Sequence, residues 1–149
     1  VKLEFVVLGI ARPKGSTRAI MRKGMKYPVV TSDNRSVKGW EESVRAAIQQ
    51  RAAGVYFTGP VSVRIAFYLP RPKSLPKRVQ DHTKKPDIDK LARGSLDAMK
   101  GVLWNDDAQV IELHVTKQYC HEQPQAAIEV FGIEATRNNG PASILHHAL

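Results

Sequence analysis

Val61-Ser62-Val63-Arg64-Ile65-Ala66-Phe67-Tyr68-Leu69 places a β-branched, aromatic or aliphatic residue at every second position. A period of two predicts a strand with Val61, Val63, Ile65, Phe67 and Leu69 on its buried face. Gly59 and Pro60 bound it upstream, and Pro70, Pro72 and Pro76 downstream. Working back, Val37, Trp40, Val44, Ala47 and Ile48 recur at three and four positions after Ser36, a residue suited to an N-cap. That spacing predicts a mainly structural helix running to about Ala52. At the start of the chain, Leu3, Phe5 and Val7 alternate with Lys2, Glu4 and Val6, an opening strand to about Ile10. A ribbon from Ala19 to Val30, turned at Lys23 and Gly24, fits between them.

Working forward, Ile88, Leu91, Ser95, Ala98 and Met99 lie on one face of a short helix that ends at Gly101. Ile111, Leu113 and Val115 mark a third main strand. Residues 126–133 read as a fourth, paired with it through the polar turn around Glu122 to Pro124. The architecture expected is an α+β domain over residues 1–135, with a mixed or antiparallel sheet of about four strands and two helices packed on it. Residues 136–149 read as a loose tail, or one that orders against a partner subunit.

With 149 residues the chain has room for one core. Hydrophobic and charged fractions of 42% and 25% are those of a globular protein, and no apolar run approaches the roughly 20 residues of a membrane span. Cys120 is the single cysteine, so no internal disulfide forms; with no secretory signal pattern before the first strand, a cytoplasmic protein with a structural thiol is expected.

The formal net charge of +9 is unevenly spread. Segments 12–26 and 71–85 hold 12 of the 23 Lys and Arg residues, with Asp81 their one acid, and the rest of the chain is slightly acidic. Such segregation suits a polyanion, because each neutralised phosphate releases counterions; solvated basic loops are the plainer alternative. The second loop, about fifteen residues long, is expected to be mobile without a ligand. Lys14-Gly15-Ser16 lacks the leading glycine spacing of a P-loop, so no nucleotide cofactor is expected.

Four of the 14 acids fall in two pairs, Asp87 with Asp89 and Asp106 with Asp107. Hard divalent cations such as Mg²⁺ take carboxylate oxygens, and a metal rimmed by Lys and Arg makes carboxylates tolerable in a DNA-facing cleft. A carboxylate at a helix start has an ordinary role too, capping free N–H groups at the positive end of the dipole. Glu112 is a reserve ligand, His114 is an ordinary surface or interface residue, and Asp97 is placed to orient Arg93 or Lys100.

The stretch Lys85-Pro86-Asp87-Ile88-Asp89-Lys90-Leu91, then Leu96-Asp97-Ala98-Met99, Gly101 and Trp104-Asn105-Asp106-Asp107-Ala108-Gln109-Val110, resembles the signature of the RusA family of Holliday junction resolvases. Pro13-Lys14-Gly15-Ser16, the Trp40 helix and Lys117 before Tyr119 are similar to phage-type members. The resemblance implies a homodimeric, Mg²⁺-dependent endonuclease, with Mn²⁺ substituting, that nicks branched DNA, chiefly four-way junctions, at symmetry-related positions. It puts the essential aspartates at Asp87, Asp89 and Asp107, with Asp106 adjoining the metal shell. The family's best-known pattern has a lysine one turn after the second aspartate, and here Arg93 stands there. Arginine holds a phosphate but does not readily exchange a proton, so an electrostatic clamp is expected of it. Lys90 lies about 100° from Asp89 round the helix. Lys14, Arg18, Arg22, Lys23, Lys84, Lys85, Lys90 and Lys117 are the candidate DNA contacts. Two competing readings remain, a metal-dependent nuclease acting on flaps or duplex and a non-catalytic basic DNA-binding module.

Overall fold

Strand β4 (Val61–Leu69) lies inside a four-stranded sheet of order β1-β6-β4-β5, formed with β1 (Lys2–Leu8), β5 (Val110–Tyr119) and β6 (Gln125–Gly132). This computed structural model describes residues 1–15, 17–20, 23, 24, 26, 27, 29–32 and 36–134. Ser16, Arg22, the side chain of Arg18 and the expected tail lie outside the described residues. The fold is a small α+β one: β1 and β4 run antiparallel to β6, β5 runs parallel to β4, and helices α1 (Ser36–Ala52) and α2 (Ile88–Met99) share the sheet's core. A separate antiparallel ribbon pairs β2 (Thr17–Ile20) with β3 (Val29–Ser32), and Gly24 at φ +90° takes the turn conformation that its missing Cβ permits.

The inward residues of β4 are all buried, in one cluster with Trp40, Val44, Ile48, Leu91, Met99 and Trp104. Each inward β4 side chain contributes about 1.5–3 kcal/mol by leaving water. Between the helices the Trp40 indole donates to Ser95 Oγ at 3.1 Å, which satisfies both polar groups inside an apolar layer. Gly94 lets the segment after β1 lie against α2: a Cβ there would stand 3.0 Å from the Arg12 carbonyl oxygen. The Lys14 amide donates to the Lys90 carbonyl at 3.1 Å along the same seam.

The expected pairing of the last two strands is corrected. β6 enters between β1 and β4, and β5 takes the far side of β4 as an edge strand. Burial supplies the reason. β6 hides Ala126, Ile128 and Val130 completely, as an interior strand must, whereas Ile111 is 60% and Leu113 47% exposed on β5.

Candidate active site

Asp87 is the N-cap residue of α2, with extended backbone (φ −70°, ψ 139°) and a carbonyl that accepts from the Leu91 amide at 3.1 Å. Its carboxylate makes no capping hydrogen bond. Asp87 and Asp89 are both exposed in the first turn, where the helix dipole favours their charge, and the Lys90 ammonium lies 3.5 Å from Asp87. The backbone before Asp87 is held from β5: Lys117 Nζ donates to the Lys84 carbonyl at 2.7 Å and to the Pro86 carbonyl at 3.0 Å. Lys117 is thereby committed to shaping the turn that presents Asp87.

The second acidic pair is built differently. Asp106 opens a one-turn 3-10 helix (Asp107–Gln109) and accepts from the Ala108 amide at 3.0 Å, while Gln109 Oε1 accepts the amides of Asn105 and Asp106. This is a reciprocal capping box. Gln109 Nε2 also donates to the carbonyls of Phe57 (3.0 Å) and Gly59 (2.9 Å), which seats the turn on the approach to β4. The fully buried Trp104 donates its indole N–H to Asp107 Oδ1 at 2.9 Å, so one oxygen of Asp107 is oriented and the other left over.

The two pairs sit at opposite ends of β5. Asp107 precedes its first residue, whereas Asp87 neighbours Lys117 near its last turn of pleat, roughly 20 Å further along at strand rise. Among the described residues no three His, Cys, Asp or Glu side chains are close enough together to hold a metal ion. The all-oxygen donors suit a hard cation, but one chain by itself does not gather Asp87, Asp89 and Asp107 into a metal shell. Asp106 has Oδ1 taken by its cap, as Asp107 has Oδ1 taken by the indole.

The candidate cations fall into two kinds. Lys84, Lys85, Arg93 and Lys23 are exposed. Lys14 is engaged by Asp97 at 2.6 Å and Glu41 at 3.7 Å, and the hydrogen bond to Asp97 raises its pKa. Asp97 therefore pairs with Lys14, where Arg93 or Lys100 was expected. Glu112 and His114 lie exposed along β5. The basic loop is braced from within, since the Arg71 guanidinium donates to the carbonyls of Val79 (2.7 Å) and Pro76 (2.8 Å) and covers the Tyr119 ring. Trp104 as the orienting group for Asp107 went unread in the sequence, although its place three residues before an aspartate was a signal. Asp106-x-x-Gln109 likewise carried the capping-box spacing.

An α+β frame with acids at the two ends of one edge strand and cations beside them describes a class, small basic proteins built to meet a phosphate backbone. Comparison with protein families goes further: residues 11–131 match the family described as Endodeoxyribonuclease RusA, and the chain belongs to it. Its general class is therefore a Holliday-junction-resolving endodeoxyribonuclease, of a family that generally depends on divalent metal. The chain is also similar to the uncharacterized protein YqaN of Bacillus subtilis (strain 168), 29% identical over 143 residues, covering 89% of this chain and 98% of that protein. Among the described residues, no helix is long and apolar enough to cross a membrane.

Proposed function

We propose that this protein is a Mg²⁺-dependent, structure-selective endonuclease of the cytoplasm that nicks four-way DNA junctions as a homodimer. The carrying observation is the separation of Asp87 and Asp107 along an edge strand whose outer side is unpaired among the described residues. An exposed edge with apolar side chains is a template for pairing, and a two-fold axis pairs identical edges antiparallel. Antiparallel pairing of β5 sets the start of one copy beside the end of the other. Asp107 of each copy would then stand near the turn that carries Asp87 and Asp89 of its mate, while Ile111 and Leu113 would be covered. Two equivalent sites also suit a substrate with two equivalent strands to cut.

In this reading Asp87, Asp89 and Asp107 hold the metal, which when bound polarises the phosphodiester and acidifies a water; Mn²⁺ has the same ligand preferences. The Trp104 indole keeps Asp107 turned toward the shared site, and Lys117 holds the backbone before Asp87. Arg93, one helical turn after Asp89, grips a phosphate oxygen without moving a proton. Lys84, Lys85, Lys90 and Lys23 neutralise the backbone of the bound arms, and Arg18 and Arg22 belong to the same basic stretch of sequence as Lys23.

Mixing subunits tests the arrangement. A heterodimer of Asp87→Asn with Asp107→Asn regenerates one intact site if each site draws on both chains, so nicking returns although either mutant homodimer is inactive. A heterodimer as inactive as its parents would sink the shared site. Cleavage of a four-way junction beside a linear duplex of the same sequence tests substrate choice, and equal rates would favour a general duplex or flap nuclease. Cleavage that survives chelation would remove the metal from the reading, and absence of Mg²⁺-dependent cleavage would leave the non-catalytic binding module.

A further inference from the structure

A cavity of about 570 Å³ opens beside Asp87, between the segment that follows β1 and the turn that enters α2. Ile10, Leu69, Pro70 and Pro86 give it apolar walls, and Arg12, Lys85 and Lys90 give it positive charge. Asp87 is the one acid among the described residues that line it, and it already neighbours Lys90. Arg12 and Lys85 form no salt bridge with any described residue. The ring of His82 also lines the space; it is 9% exposed and stacked on Tyr119 with centroids 4.4 Å apart, and its buried Nδ1 has no hydrogen-bond partner among the described residues.

We propose that this cavity receives the unstacked base of a nucleotide next to the cleaved phosphate, an inference that rests on the nuclease reading above. The volume lies within the roughly 300–1,000 Å³ of small-ligand pockets. A bare phosphate has no use for apolar walls, and an uncharged apolar ligand has no use for three cations. A nucleotide uses both: its base stacks on the proline and aliphatic walls while Arg12 and Lys85 take the flanking phosphates. Asp87 at the cavity fixes which nucleotide this is.

The pocket also gives a reason for preferring branched DNA. Drawing a base out of a duplex costs a few kcal/mol, and least where the base is unpaired or poorly stacked, as at a branch point. A linear duplex meets that cost in full, so the same cations would bind it without seating a base.

Four-way junctions carrying 2-aminopurine singly at each nucleotide flanking the cut test this, with the wild-type chain and Ca²⁺ in place of Mg²⁺. A several-fold rise in fluorescence at one position is expected on the junction, and none on a linear duplex of the same sequence. Ile10→Trp, at a residue 41% exposed on the cavity wall, fills the space. It is expected to abolish the rise and slow nicking at least tenfold, with junction affinity changed less than threefold. Should that variant fold poorly, Arg12→Gln, at an exposed side chain, is expected to weaken the same rise. A junction bound and cut with no rise at any position overturns the pocket alone, as does Ile10→Trp nicking at the wild-type rate. Absence of junction binding by wild type, read by anisotropy on unmodified DNA, overturns the nuclease reading and the pocket with it.

Discussion

The two acidic pairs look alike in sequence and are put to different use. Asp106 is bound into a capping box and Asp107 is oriented by a buried indole, whereas Asp87 stands at a helix start without capping it and Asp89 is exposed beside it. Capping was the ordinary explanation for the first pair, and the structure finds the cap in the second. A carboxylate that forms no cap, set at the positive end of a helix among cations, is open to a ligand. One that closes a turn has an oxygen already engaged.

Substitutions separate the two roles. The largest effect is expected at Asp87→Asn and Asp107→Asn: junction nicking falls by at least about 10²-fold, the scale of losing one electrostatic contact in a catalytic site, with junction binding retained in a gel-shift assay. Unchanged nicking in both would break the comparison. Lys117→Met comes next, releasing the two carbonyls ahead of Asp87. About 10–100-fold weaker apparent Mg²⁺ affinity in nicking, the scale usual for losing a supporting contact behind a metal ligand, is expected, with partial rescue by Lys117→Arg. Asp106→Ala should act mainly on folding, lowering stability by about 1 kcal/mol in urea titration while nicking by the folded protein changes little. A loss of nicking as deep as that of Asp107→Asn would place Asp106 in the metal shell after all.

The smallest effect concerns His82. Burial foremost, then the Lys117 charge, lowers its pKa from 6.5, with weaker opposition from the backbone of His82 and Lys84. The unfolded chain therefore takes up a proton below pH 6.5 that the folded one resists. This contribution is absent above that pH and costs stability progressively as pH falls from 6.5 toward the folded pKa. His82→Gln should flatten that part of the Tm-against-pH curve, and an unchanged slope would contradict it.

The seam between α2 and the segment after β1 was hidden in the sequence. Gly94 looks like a weak point in a helix, yet its bare Cα admits the Arg12 carbonyl. Lys14 looked like a phosphate contact because it sits in a basic run, and Asp97 and Glu41 claim it from distant parts of the chain. Charge patterning locates an excess; it does not say which cations folding will neutralise.

Local pattern by itself determined the secondary elements and the motif. Alternation in Val61–Leu69 delimited β4 at both ends, three-and-four spacing from Ser36 delimited α1, and residues 85–110 carried the family signature, because period and motif are properties of neighbouring residues. Tertiary structure decided which strands are neighbours. A period of two says which face of a strand is buried and nothing about what pairs with its edges; that depends on how all four strands together cover their backbone groups and the core. The insertion of β6 between β1 and β4 leaves β5 at the edge, with the two acidic pairs at its opposite ends.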